Sequence, residues 1–254
     1  MDLKLKGRRA LVTGGTRGIG RAIAFGLAAE GVDVAICARD EKAVAATVAA
    51  LKATGVRASG RALDVADGVK LKAWVNDTAE EFGGLDIVVA NTSAMAEGFR
   101  EEDFRAAFDV DILHTLNAVT AALPYLEKST GASIIAISSI SGSEDYGYSG
   151  VSYGAMKAAL LFYMKSLARH VAAKGIRANV VSPGTTYFKD GFWHGVEVND
   201  PRGFAQTIAE NPFGRMATPE EIANAVVFLA SGAASFVAGS NLVVDGALTK
   251  RIQN

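Results

Sequence analysis

The chain has 254 residues, half of them apolar, which is enough for one large domain with a substantial core or for two small ones. Its 26 basic and 27 acidic residues nearly cancel, and that argues against nucleic acid or an anionic membrane as a partner. Cys37 is the one cysteine, so no intramolecular disulfide can form, and its apolar neighbours Val34, Ala35 and Ile36 mark it as a buried thiol.

Short runs rich in Val and Ile recur as candidate buried strands at residues 10–13, 32–38, 56–63, 87–90, 133–138, 176–181 and 242–244. Helical patterns lie between them at 21–30, 41–54, 69–82, 104–126, 152–174 and 219–230. Gly31, Gly55, Gly83 and Gly175 stand at helix ends, where a left-handed residue is often needed. The alternation runs without a linker, so residues 1–254 read as one α/β domain. It would be a doubly wound parallel sheet of about seven strands with helices on both faces and right-handed crossovers. No apolar stretch is long enough to cross a bilayer, and the start Met1-Asp2-Leu3-Lys4 does not resemble a secretory signal. The expectation is a cytoplasmic protein with no membrane partner.

The first strand signal runs into Thr13-Gly14-Gly15-Thr16-Arg17-Gly18-Ile19-Gly20, and a helical pattern follows at once. Strand, glycine loop and helix in this order are what a Rossmann-type dinucleotide site requires. Gly14 permits the tight turn, Gly18 lets the backbone approach a pyrophosphate, and Gly20 lets the helix pack closely. The phosphates then face the helix N-terminus. The second strand ends in Ala38-Arg39, where an acidic residue would bind the ribose hydroxyls of NAD. Arg39 instead suits an added 2′-phosphate, and Arg17 offers a second positive charge. The expected cofactor is NADP(H). Asp40, one residue later, keeps NAD open as the less favoured choice.

Tyr153 and Lys157 are four residues apart in a long helical pattern, so phenol and ammonium share a face. A free tyrosine titrates near pH 10 and is a poor acid or base at neutrality. A neighbouring cation favours the phenolate, and bringing the titration to about pH 7 takes roughly 4 kcal/mol. Further on, residues 185–215 lose any clean period but hold Tyr187, Phe188, Phe192, Trp193, Phe204 and Phe213. A long irregular insertion in a compact domain is usually functional, and it reads as a mobile lid over a bulky apolar or aromatic substrate.

With the glycine loop and the Tyr-x-x-x-Lys pair in place, nearly the whole chain resembles the short-chain dehydrogenase/reductase family. The similarity is closest to the single-domain branch containing 3-oxoacyl-carrier-protein reductases and many ketone reductases. The resemblance implies an oxidoreductase moving a hydride between NADP(H) and a carbonyl or secondary alcohol. Tyr153 would be the general acid and base, and Lys157 would tune it and hold the nicotinamide ribose. It also implies that Ser139 fixes the carbonyl oxygen, with Ser138 as the fallback. Asp64 and Val65 match a pair beside the adenine, and Asn91 the asparagine after the fourth strand. Pro183 and Gly184 fall near the nicotinamide, and Thr186 where the backbone meets the carboxamide. The loop residues Thr16 and Ile19 join this cofactor set. The two long helices, 104–126 and 152–174, would form a subunit interface, commonly in a homotetramer.

The chain departs from the family at several positions. Asp111 stands where asparagine is usual and its backbone carbonyl would hold a water linking the lysine to solvent. An ionised Asp111 would also bind Lys157 and weaken its effect on Tyr153. Asn-Asn-Ala-Gly is replaced by Ala90-Asn91-Thr92-Ser93, and Phe188 replaces a threonine. The departures at Thr92, Ser93 and Asp111 leave open an NADP(H)-sensing binding module with weakened catalysis, and the Tyr-x-x-x-Lys pair leaves open a nucleotide-sugar epimerase, which can share it. His114, His170 and His194 lack metal-ligand spacing and are assigned to no metal. The segment from Glu144 to Tyr148 either borders the pocket or is a solvated loop.

Overall fold

A computed structural model describes residues 2–146 and 150–252. The described strands are β1 (Arg9–Thr13), β2 (Asp33–Ala38), β3 (Ala58–Ala62), β4 (Ile87–Ala90), β5 (Ser133–Ile137), β6 (Arg177–Pro183) and β7 (Asn241–Val244). They form one parallel sheet in the order β3-β2-β1-β4-β5-β6-β7. The order reverses between β1 and β4, which is where a doubly wound sheet opens a crevice beyond the carboxyl ends of its strands. Register brings those ends level: Val12 pairs with Val89, Ala90 with Ala136, and Ile137 with Val181. Gly14, Asn91 and Ser138 therefore leave the sheet at one rim, and Gly184 follows the end of β6 there.

The helices are α1 (Gly18–Ala29), α2 (Glu41–Lys52), α3 (Gly68–Phe82), α4 (Glu101–Ala107), α5 (His114–Leu126), α6 (Val151–Val171), α7 (Phe192–Asn199), α8 (Pro201–Glu210) and α9 (Pro219–Ala230). One sheet face packs Val88, Ile134 and Ala178 under Trp74 of α3, Leu126 of α5 and Met164 of α6. The other packs Val12, Val34 and Ile135 under Ile23 and Leu27 of α1, Leu51 of α2 and Val226 of α9. The interior strands are largely apolar because both faces are covered, and the polar side chains that β6 buries, Arg177, Asn179 and Ser182, are hydrogen-bonded. The edge strand β3 departs from that expectation: after Ala58 it is increasingly exposed. Gly83 ends α3 with φ 74 and Gly175 ends the turn after α6 with φ 73, as their places in the sequence imply.

Two expectations are corrected. The stretch 104–126 is not one regular helix: the rod begins at Glu101, and a π-helical turn over Phe108–Leu113 separates α4 from α5. Such turns frequently mark functional sites, and this one carries buried Asp111. Residues 185–215 are not irregular, since they hold α7 and α8. Asp200 caps α8 by accepting from the Gly203 N–H at 3.0 Å, with Pro201 in its first turn. No helix among the described residues is long and apolar enough to cross a membrane.

Candidate active site

The glycine loop is built by contacts that exclude side chains. Gly14 has φ 68, and a Cβ on Gly20 would lie 2.2 Å from the Gly14 carbonyl oxygen and 2.5 Å from Asn91 Nδ2. Asn91 ties β4 to this loop, its Nδ2 donating to the Thr13 carbonyl at 2.9 Å. Thr13 Oγ1 accepts from the backbone N–H groups of Asn91 at 3.0 Å and Thr92 at 3.3 Å. Its own proton goes to His114. The Val110 carbonyl 2.8 Å from Nδ1 can only accept, so Nδ1 carries the ring proton and Nε2 accepts from Thr13 at 2.9 Å. Complete burial pushes the His114 titration down to about 4, against smaller upward effects of Val110 and Asp111, so the ring is neutral near pH 7. His114 is thus part of the frame of the loop, which its sequence position did not announce. His170 Nδ1 is bonded to the Ser166 carbonyl at 2.8 Å and does not face the cleft. Among the described residues no three His, Cys, Asp or Glu side chains could hold a metal ion.

The second part of the site comes from β5 and α6. Ser139 caps the turn after β5, its Oγ accepting from the Ser141 N–H at 3.1 Å. Ser138 Oγ donates to the Lys157 carbonyl at 3.0 Å and so holds α6 in place. Tyr153 and Lys157 lie one turn apart on α6, with Nζ 5.5 Å from the phenol ring centroid. Lys157 is 2% exposed and Asp111 1%, and Nζ lies 2.9 Å from Asp111 Oδ1. Nζ also donates to the Ile137 carbonyl at 3.0 Å. Burial alone would lower the Lys157 titration, but the Asp111 carboxylate, with Tyr153 adding to it, more than offsets this and holds Lys157 above the ordinary lysine value. The expected contact between Asp111 and Lys157 is therefore present, as a direct buried ion pair. Asp111 Oδ2 also accepts from the Ala94 N–H at 3.2 Å, and its carbonyl accepts from Thr115 Oγ1 at 3.1 Å.

A cleft of about 320 Å³ joins the two parts. Gly14, Arg17, Ile19, Gly20 and Asn91 line one end, and Ser139, Tyr153 and Lys157 the other. Pro183, Gly184 and Thr186 close one wall, with Gly184 donating to the Val244 carbonyl at 2.9 Å. Phe188, Phe192 and Trp193 cover it. The Phe188 ring is so close to Gly18 that a Cβ there would lie 2.5 Å from it, so Gly18 faces an aromatic ring in the space anticipated for a pyrophosphate. Thr16, Gly18, Arg39, Asp64, Val65 and Asp111 do not line the cleft. Arg39 is exposed just past β2. Asp40 caps α2, accepting from the Ala43 N–H at 3.0 Å, so one carboxyl oxygen already has a structural task. Asp64 turns back on the Ala66 N–H at 3.0 Å, while Val65 is in the core. Glu144, Asp145 and Tyr146 do not line the cleft, and residues 147 and 148 fall outside the described residues.

The glycine end of the cleft fits a dinucleotide on its own terms. The space at Gly20 is one a side chain would fill, and a Cβ on Gly14 would meet Thr92 Oγ1 at 3.0 Å. That hydroxyl is buried with no hydrogen-bond partner, a polar atom left for something to satisfy.

Comparison with known proteins agrees. A family model described as Enoyl-(Acyl carrier protein) reductase matches residues 14–249. The chain is 39% identical to isoepoxydon dehydrogenase of Penicillium expansum, covering 96% of this chain and 95% of that one. It is 34% identical to the 3-oxoacyl-acyl-carrier-protein reductase of Escherichia coli (strain K12), covering 97% and 99%. The crystal structure of L-sorbose reductase from Gluconobacter frateurii, complexed with NADPH and L-sorbose, superposes with a TM-score of 0.92. It is 31% identical and covers 99% of this chain and 100% of that one. By fold, sequence and the arrangement around the cleft, this chain belongs to the short-chain dehydrogenase/reductase family of oxidoreductases.

Proposed function

We propose that the protein interconverts a carbonyl compound and its secondary alcohol with NADP(H), using Tyr153 as general acid and base. One observation carries the reading: Ser139, Tyr153 and Lys157 share a cleft with a glycine loop fitted to a dinucleotide. The solved relative holding NADPH supports the choice of cofactor, as does the cation Arg39 after β2, with Arg17 at the loop.

Gly14 to Gly20, Asn91 and Thr92 would hold the pyrophosphate and adenosine side. Asp64 and Val65 would border the adenine, and Arg39 and Arg17 would face the 2′-phosphate. Pro183, Gly184 and Thr186 would flank the nicotinamide. When bound, the cofactor supplies the hydride that the carbonyl carbon receives. Ser139 Oγ and Tyr153 Oη together fix the carbonyl oxygen, and Tyr153 gives it a proton as negative charge develops there. In oxidation Tyr153 takes that proton from the alcohol. Lys157 has three N–H donors, and Asp111 and Ile137 use two. The third is left for the nicotinamide ribose, while the ammonium charge beside Tyr153 compensates the phenolate. Asp111 keeps that ammonium protonated in a buried place.

Residues 185–215 act as a substrate lid, with Phe188 to Trp193 as its underside. A homotetramer is part of the proposal, supported by the exposed apolar side chains Phe108, Leu116 and Phe162 on the α5 and α6 rods. The test is NADPH oxidation against a panel of ketones, 3-oxoacyl thioesters and aldehydes. NADPH bound tightly but never oxidised would favour a sensor instead.

A further inference from the structure

The cleft divides. Past the Ser139 and Tyr153 side chains a smaller cavity of about 90 Å³ opens, lined also by Glu97, Thr185, Phe192 and Trp193. Its size and lining differ from what the aromatic residues of 185–215 imply when read in sequence. Thr185 is 5% exposed, and its Oγ1 is buried without a hydrogen-bond partner among the described residues. Its backbone is fixed, with the carbonyl accepting from the Ala217 N–H at 2.9 Å and Thr186 bridged to Ala217. A buried hydroxyl left unpaired carries a free-energy cost, so a polar atom in this wall calls for a partner from the cavity.

Glu97 is the second polar group. Its loop is pinned before it by the Ala94 N–H donating to Asp111 Oδ2 and Ser152 Oγ donating to the Ala96 carbonyl at 2.8 Å, and after it by the Ser152 N–H donating to the Gly98 carbonyl at 3.4 Å. Partial burial holds its carboxyl above the usual carboxylate range. Phe192 and Trp193 meet edge to face with ring centroids 5.2 Å apart and supply an apolar aromatic wall. No lysine or arginine lines this cavity. An acidic substrate would meet Glu97 with no countercharge, and a long acyl chain would bury the Thr185 hydroxyl unpaired.

Resting on the oxidoreductase reading above, we propose that the substrate is a small uncharged hydroxy ketone, or the corresponding diol. A hydroxyl beside its carbonyl would bond Thr185 Oγ1 and the Glu97 carboxylate, and its carbon skeleton would lie on the Phe192–Trp193 wall. Thr185 and Glu97 are specificity-determining residues; they do not handle the transferred proton.

The experiment compares kcat/KM for the matched pair cyclohexanone and 2-hydroxycyclohexanone with NADPH, in the wild type, Thr185→Val and Glu97→Gln. The wild type is expected to prefer the hydroxylated partner at least ~10-fold, and Thr185→Val to reduce that ratio about 10-fold, chiefly through KM. Glu97→Gln is expected to lower the ratio and to improve KM for a 2-oxo acid. It keeps the test intact if Thr185→Val misfolds. Turnover of cyclohexanone with no advantage for its hydroxylated partner, or a ratio unmoved by both variants, overturns this inference and leaves the oxidoreductase reading standing. If no carbonyl compound of the panel supports NADPH oxidation, that reading is overturned, and this inference with it.

Discussion

Replacing Asp111 by Asn removes the countercharge of a buried lysine while keeping its shape. At 2.9 Å and an effective dielectric of about 20, the attraction between Lys157 and Asp111 is about 6 kcal/mol. In the wild type Lys157 is held above the ordinary lysine value. Its contribution to stability is therefore fully present below about pH 10.4 and lost as pH rises through the higher folded value. In Asp111→Asn burial remains and the carboxylate is gone, so the folded titration drops below the ordinary lysine value and the sign reverses: the variant loses stability as pH falls from that ordinary value through the lowered one. Breaking a buried pair costs about 3–5 kcal/mol, and the retained amide oxygen puts Asn at the lower end. About 3 kcal/mol lowers Tm by roughly 6–12 °C in a protein of this size. The assay is kcat/KM against pH, with Tm measured on the same samples. The alkaline limb of the variant should begin at least about one pH unit lower, because Lys157 loses its proton earlier. A profile and a Tm that superimpose on the wild type would refute the claim that Asp111 sets the charge of Lys157.

Three further substitutions test the cofactor end. Gly20→Ala puts a Cβ 2.2 Å from the Gly14 carbonyl oxygen, so NADPH affinity by fluorescence titration should fall more than ~10-fold with the far-ultraviolet spectrum retained. Arg39→Asp should move the ratio of NADP to NAD affinity by at least ~10-fold toward NAD, and an unchanged ratio would exclude Arg39 as the phosphate partner. Phe188→Ala clears the space over Gly18 and should tighten NADPH binding a few-fold; weaker binding would mean that the ring stacks on the cofactor and does not compete with it.

The alternation of strands and helices was legible because the inner strands are buried on both faces and read as short, mainly apolar runs. The glycine loop, Tyr153 and Lys157 were legible because their chemistry depends on local spacing. The π-helical turn was not, since Phe108 to Leu113 carries the same apolar periodicity as the regular helices beside it. Helix α7 was hidden by Phe192 and Trp193, which line the cleft, and α8 by Phe204, which packs on Tyr187, although Asp200-Pro201 is a start signal that could have revealed the second. Some partners become visible only in three dimensions. Thr13 and His114 are 101 residues apart, and Thr185 and Glu97 reach one cavity from separate loops. The bond from Ser138 Oγ to the Lys157 carbonyl, 19 residues away, is another partner that only the fold reveals.

The central claim is that Tyr153 moves a proton to or from a substrate oxygen beside bound NADPH. Its most direct measurement is deuterium transfer from C4-deuterated NADPH to a turned-over ketone, in the wild type and in Tyr153→Phe. The wild type is expected to yield alcohol one mass unit heavier. The variant should bind NADPH with unchanged affinity and form that product at least about 10²-fold more slowly. Product formed by Tyr153→Phe at a rate near the wild type would contradict the account.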